Sequence, residues 1–262
     1  MADFGEVRVY ETNGKTDLEN LRAIKTQEQD LKLAVVCGGD GTLNICLNAL
    51  HNFSDLKFVF LPYGTMNIFA REHRYPRSRV KALRLMLEEG EERMIYPGHT
   101  SQGVFMLMKS VGFDSYLVYK VEDRANKLKA YCYFYAFLKY ALRYNFKRQF
   151  NVVVDDDKEY HGNFAVICNC WKYGGFLQLV PKASFFDEFF YIFVFRGKNF
   201  FSILRLCIQV FFKRHRQSSR VDIIRGKKVR IEGEGYTQMD GEKGNPLPVE
   251  MKKEKGVTFV LP

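Results

Sequence analysis

No stretch of this sequence stays apolar for the roughly 20 residues that a membrane-crossing helix needs. The greasiest runs, Phe189–Phe195 and Phe200–Phe212, are too short or are broken by charge. The opening residues, MADFGEVRVYE, have neither the basic start nor the apolar middle of a secretory leader. Both absences predict a cytoplasmic protein. The six cysteines, at 37, 46, 132, 168, 170 and 207, lack the spacing of a zinc site or a disulfide framework. Cys168 and Cys170, two apart on one strand face, read as buried thiols. The histidines at 51, 73, 99, 161 and 215 form no HxxxH pair, and no Ser/His/Asp set has a defensible spacing. Internal repeats and low-complexity linkers are also missing, which leaves a globular chain of one large or two modest packed domains.

What is present is apolar, aromatic and basic. Of 262 residues 47% are apolar, with 24 Phe and 15 Tyr against one Trp, enough for thick sheet cores or an apolar substrate pocket. The net charge of +10 suits nucleic acid, an anionic membrane surface or a phosphorylated ligand. No nucleic-acid recognition motif accompanies it, so nucleic acid is not an expected partner.

The first hundred residues alternate strand and helix. Val7–Tyr10 reads as a short strand, and Leu18, Leu21 and Ile24 recur at helical spacing. Leu31–Val36 is an apolar run of the kind buried on both faces of a parallel sheet. Leu43, Leu47 and Leu50 line one helix face, Phe58–Leu61 is a second buried strand, and Val80–Leu87 is helical with Gly90 placed to end it. Beyond Pro97–Gly98 the pattern changes to alternating aromatic-rich segments, Val104–Val111, Phe150–Val154 and Phe164–Cys170, as in an antiparallel sandwich. A helical stretch over Asn126–Tyr144 interrupts them.

Two loops carry chemistry. Gly38-Gly39-Asp40-Gly41-Thr42 lies between a strand and a helix, where glycines let backbone N–H groups approach an anion. Thr42 is placed to cap the helix, and Asp40 beside a phosphate suggests magnesium. Leu61–Asn67 follows the next strand, and loops at the carboxyl ends of neighbouring parallel strands should meet. Its Thr65 and Asn67 suit phosphate or ribose. Later, Asp240-Gly241 is both a hairpin-turn signal and part of an acidic MDGE motif.

Together these residues resemble the diacylglycerol-kinase catalytic family, which includes bacterial lipid kinases, sphingosine kinases and ceramide kinase. GGDGTLN at Gly38–Asn44 resembles the family's nucleotide loop, and LPYGTMNIFARE at Leu61–Glu72 its second loop. YGGFLQLVPKASFFDE at Tyr173–Glu188 resembles the segment before its bound magnesium, MDGE at Met239–Glu242 its late acidic motif, and VTFVLP its ending. The resemblance implies an α/β fold, with a three-layer N-terminal nucleotide-binding domain on a parallel sheet over residues 1–97. A C-terminal antiparallel β-sandwich for the lipid follows over 98–262. It implies ATP and Mg2+ as cofactors and a lipid alcohol as acceptor. Thr12, the loop Gly38, Gly39, Asp40, Gly41, Thr42, Leu43 and Asn44, and Gly64, Thr65 and Asn67 would contact nucleotide. Glu242 would be the general base, Asp240 would orient it or touch the metal, and Asp187, with carbonyls near Ser184 and Phe189, would hold magnesium.

Three features depart from the family pattern: no Asn-Pro opening motif precedes the first strand, Ile68 stands where Asp is common, and Glu188 follows Asp187 where Gly is usual. The alternatives are an NAD kinase-like enzyme, which shares GGDGT, and a lipid- or nucleotide-binding module without turnover. Lys139, Arg143 and Lys147 recur every four residues opposite Phe134, Phe137, Leu138 and Ala141, and FFSILRLCIQVFFKRHR at Phe200–Arg216 is an apolar helix with a basic end. Both suit peripheral docking on anionic lipid as well as a packed helix with a solvated end. A homodimer is compatible with the sequence.

Overall fold

Continuous burial along β2 (Lys57–Pro62), with side chains alternating between two faces, shows how the first lobe is layered. In the computed structural model, which describes residues 6–13, 17–27, 30–53, 55–122, 139–174 and 177–262, Phe58 and Phe60 point to one face and Val59 and Leu61 to the other. The first face meets Leu43 and Leu47 of α2 (Asp40–Leu50), with Leu21 and Ile24 of α1 (Asp17–Gln27) in the same core. The second meets Ala82 and Met86 of α4 (Arg79–Glu88), whose N-cap Ser78 accepts from the Lys81 amide. Helices thus cover both faces of the sheet.

That sheet runs β1–β2–β18–β3, where β1 is Leu33–Gly38, β3 is Glu91–Ile95 and β18 is Val257–Leu261. β1 and β18 pair parallel to β2, whereas β3 pairs antiparallel to β18, so the sheet is mixed and mostly parallel. The chain therefore returns to the first lobe after completing the second, rather than dividing simply near residue 97. The alternation of Phe259 and Val260 across two apolar faces matches what β2 offers, and the rings of Phe58 and Phe259 stack 5.4 Å apart.

The second lobe is a sandwich of two six-stranded antiparallel sheets, with β10 (Lys172–Tyr173) and β11 (Leu177–Gln178) forming a separate two-stranded ribbon. One, in spatial order, is β13 (Val221–Gly226), β12 (Phe190–Phe195), β9 (Phe164–Cys168), β6 (Met108–Gly112), β15 (Thr237–Met239) and β16 (Glu242–Lys243). The other is β5 (Gly103–Phe105), β4 (Gly98–Thr100), β17 (Val249–Lys253), β14 (Lys228–Gly233), β7 (Phe150–Val154) and β8 (Lys158–Gly162). Val111, Val152, Ile167, Ile192, Ile231 and Met251 fill the space between them. The outer face of the first sheet carries Val166, Phe193 and Phe195, which belong to one apolar core with Ile203, Leu206 and Val210 of α6 (Phe200–Phe211). That core continues into the first lobe, where Phe185 lies 5.1 Å from Phe69 of the short helix α3 (Ile68–Glu72).

Several expectations change. Val7–Tyr10 forms no strand: a strand needs a ladder partner, and no ladder among the described residues includes it. The second face of β1 is only partly covered: Leu33 packs against the α4 core, but Val35 is 43% exposed, because α4 packs over β2 and β18. Val104–Val111 is two strands, since Met106 and Leu107 turn their amides to a carboxylate instead of a ladder. The Phe200–Arg216 helix stops at Phe211, where Lys213 takes φ 58° and His215–Gln217 forms a separate 3-10 turn. Most of the Asn126–Tyr144 stretch, with Phe134, Phe137 and Leu138, lies outside the described residues. Its end runs as a 3-10 turn over Ala141–Arg143, so Arg143 and Lys147 do not share one helix face.

Candidate active site

The two glycine loops meet, as parallel neighbours should. β1 and β2 are in register from Leu33↔Lys57 to Gly38↔Pro62, and the Tyr63 amide donates to the Gly38 carbonyl at 2.7 Å. Backbone then lies on backbone: a Cβ at Gly64 would come within 2.6 Å of the Gly39 Cα and 2.8 Å of Asn67 Oδ1. Asn67 holds the second loop closed from a left-handed conformation (φ 45°), accepting from the Gly64 amide at 3.0 Å and donating to its carbonyl at 2.6 Å. Arg71 adds a bond to the Thr65 carbonyl at 3.3 Å.

Gly39, extended at φ −93° and ψ −179°, is the N-cap of α2, and no side chain caps that end. Thr42 therefore sits inside the first turn, where its side chain covers Gly38 closely enough that a Cβ there would lie 2.5 Å from it. The first intrahelical bond runs from Leu43 to Gly39, so helix geometry turns the amides of Asp40, Gly41 and Thr42 out of the end, where an anion is favoured. Asp40 itself turns away. Its carboxylate accepts from the amides of Ile68 (2.9 Å) and Phe69 (3.3 Å), tying α2 to α3. Burial raises its pKa, and those amides and Arg71 pull the other way. Ile68, where the family pattern has Asp, is buried in the core.

One turn farther into α2, about 6 Å along its axis, Asn44 reaches the second lobe. Its Nδ2 donates to Asp240 at 2.8 Å and to the Val104 carbonyl at 3.1 Å. Asn48 repeats the link one turn on, donating to the Val104 carbonyl and accepting from its amide. The Asp240 carboxylate also accepts from the amides of Met106 (2.6 Å), Leu107 (2.8 Å) and Met108 (2.9 Å). Burial pushes its carboxyl up to about 6 against the pull of these donors. Asp240 (φ 50°) and Gly241 (φ 92°) are both left-handed, forming the two-residue hairpin turn that joins β15 to β16. The hairpin and the acidic motif are thus one object, and it leaves Glu242 exposed at the start of β16.

Two family models match the chain: "Diacylglycerol kinase catalytic domain" over residues 1–96 and "YegS C-terminal NAD kinase beta sandwich-like domain" over 108–261. The chain belongs to the diacylglycerol kinase catalytic-domain family, with a YegS-type C-terminal domain. It is 25% identical to the diacylglycerol kinase of Staphylococcus carnosus (strain TM300) over 257 residues, covering 93% of this chain and 80% of that one. To the diacylglycerol kinase of Bacillus subtilis (strain 168) it is 24% identical over 228 residues, covering 85% and 75%. It shares its fold with the crystal structure of a diacylglycerol kinase from Bacillus anthracis str. Sterne: TM-score 0.76, 20% identity, and 100% of this chain against 88% of that one.

In this diacylglycerol kinase-family chain a second carboxylate lies behind the hairpin, and sequence patterning did not find it. Asp114, in the first turn of α5 (Phe113–Glu122), is half-buried and accepts from Ser110 (2.7 Å), Ser115 (3.2 Å) and Tyr173 (2.8 Å). Burial raises its pKa, and the hydroxyls oppose that shift. Gln238 connects this group to the hairpin, donating to Ser110 at 2.8 Å and accepting from the Gly241 amide at 2.8 Å. Lys109, fully buried on β6, has its pKa lowered to about 8 by burial, with Asp240 supplying the opposing attraction.

The remaining expected site residues stand on other segments. Thr12 lines a cavity of about 260 Å³ with Asp17, Leu21 and Ile24 of α1. In the Ser184–Phe189 turn the Ser184 carbonyl accepts from the Asp187 amide at 3.2 Å, and Ser184 Oγ accepts from Phe186. The Lys253 ammonium, which donates to the Tyr96 carbonyl, is the foremost positive charge acting on Asp187, while Phe189 stacks edge-on with Tyr191. As a magnesium site this turn offers one carboxylate and backbone carbonyls, which suits an ion that keeps several of its waters, and Lys253 is the group that competes for that carboxylate. Among the described residues no three His, Cys, Asp or Glu side chains gather as metal ligands. Glu188, the departure from Gly, instead accepts from Tyr96 (3.2 Å) and pairs with Lys227 (3.3 Å).

Proposed function

We propose that this chain transfers the γ-phosphate of ATP to the hydroxyl of diacylglycerol or a related lipid alcohol, at a membrane surface. The observation that carries the reading is the Asn44–Asp240 bond, which brings the acidic hairpin of one lobe against the glycine-loop helix of the other. ATP, entering as its magnesium complex, lies along Gly38–Asn44 with Gly64, Thr65 and Asn67 opposite and Thr12 at the margin. The lipid oxygen attacks the γ-phosphorus as the bond to the β-bridging oxygen breaks and ADP leaves. The hydroxyl proton passes to the Glu242 carboxylate. Asp240 and Gln238 position the turn that presents Glu242.

Phosphate transfer from labelled ATP, with magnesium in excess, to dispersed diacylglycerol, other lipid alcohols and NAD tests this. Labelled lipid supports the proposal. Labelled NAD in its place would make the chain an NAD kinase-like enzyme, and ATP binding without any labelled acceptor would make it a binding module.

The loop contact gives a second test. Gly64→Ala places a methyl group against the Gly39 backbone, and overpacking of this kind costs about 1–3 kcal/mol. ATP affinity, measured by titration calorimetry, is expected to fall by about tenfold to a hundredfold. Unchanged affinity would place the nucleotide elsewhere.

A further inference from the structure

The outer face of α6 is built against the usual rule. Ile203, Leu206 and Val210 already fill its buried side, yet the opposite side carries Phe201 (74% exposed), Ile208 (52%) and, at its end, Phe211 (70%) and Phe212 (63%). Phe201, Arg205, Ile208 and Phe212 follow i, i+4, i+7, i+11 spacing, a continuous stripe facing water. A groove of about 800 Å³ runs beside it, with Phe201, Ile208 and Phe212 contributing apolar surface and Arg205, Arg214 and Arg220 contributing charge. Arg220 is held in place by donating to Ser202 Oγ at 2.9 Å.

Residues 198–221 contain six Lys or Arg and no Asp or Glu, so this one segment carries +6 where the whole chain carries +10. The partner is therefore anionic, and a second copy of the chain meeting this face would be repelled. The stripe needs an apolar phase, whereas the rim needs negative charge at its boundary. An acidic bilayer surface supplies both.

We infer that α6 and the Lys213–Arg220 segment form the membrane-docking surface of this protein. The Phe201–Phe212 stripe enters the acyl boundary, and Arg205, Arg214 and Arg220 receive the headgroup of an acidic phospholipid. This deepens the lipid-kinase reading by naming the face that meets the bilayer, but it stands on binding alone.

The test is sedimentation of the full chain with mixed phosphatidylcholine–phosphatidylglycerol vesicles, with phosphatidylcholine vesicles as neutral control and no nucleotide present. Binding to the mixed vesicles only is expected. Each Lys or Arg near an anionic leaflet is worth about fivefold in affinity, so R214A/R216A is expected to weaken binding by roughly 25-fold. F201S/F211S, at two exposed positions, is expected to weaken it by about a hundredfold. A helical spectrum and melting temperature like those of the native chain show that each variant is folded. No binding to mixed vesicles, or native binding by both folded variants, overturns the inference. So does heparin binding that matches vesicle affinity and ignores the phenylalanines, which would mark a polyanion site. The two readings fail separately. A chain that binds vesicles but transfers no phosphate loses only the kinase assignment. One that phosphorylates detergent-dispersed lipid but ignores vesicles loses only this surface.

Discussion

Glu242→Gln is expected to lower phosphate transfer to lipid by about 10²- to 10⁴-fold, the usual worth of a positioned general base, with ATP affinity and melting temperature unchanged. The separation follows from geometry. Glu242 pairs with Met239 through the backbone and its side chain is exposed, so the amide variant keeps the hairpin and loses only the proton acceptor. Steady-state kinetics with dispersed diacylglycerol, beside a thermal melt, reads both quantities. Activity within twofold of native would sink the assignment. The half-buried Asp114 would then be next in line, since it reaches the same hairpin through Ser110 and Gln238.

Asp240→Ala is expected to act in the opposite manner, on the fold first. It strands three backbone amides and the Asn44 amide, and it removes the counter-charge of the buried Lys109. Breaking a buried charged network from one side costs about 3–5 kcal/mol, on the order of 10 °C of melting temperature for a chain of this size. Alanine must also adopt the left-handed turn conformation that Asp tolerates better. Asp240→Asn keeps the turn and one acceptor, so it is expected to lose less. Equal losses in the two variants would mean that charge, not turn geometry, holds the lobes together. A melting temperature within a degree or two of native for Asp240→Ala would show that the clasp contributes little.

Much of this architecture could be read from the residues, and the reasons are local. Leu43, Leu47 and Leu50, and the pleated alternation of Phe58 to Leu61, specify their own element types and buried faces. Once β1 and β2 are parallel neighbours, Gly39 and Gly64 must come together. What stayed hidden depends on distant partners. Asp114 looks like an ordinary first-turn carboxylate until Tyr173 and Gln238 are folded around it. The loop around Asp40 gives no sign that α3 presents two amides to its carboxylate. Nothing near Asp187 in sequence announces that Lys253, 66 positions on, acts on it.

The place of β18 sets a timetable for the ribosome. Residues 257–261 lie between β2 and β3, so the sheet that carries both glycine loops has a gap near its middle until they have been made. At translation rates of about 5–20 residues per second, the first 97 residues wait roughly ten to thirty seconds for their missing strand. During that interval β2 offers an open edge, the kind of surface that pairs with the wrong partner. On the proposed reading, nucleotide-binding competence waits for β18, although nearly all of its residues are synthesised before that strand.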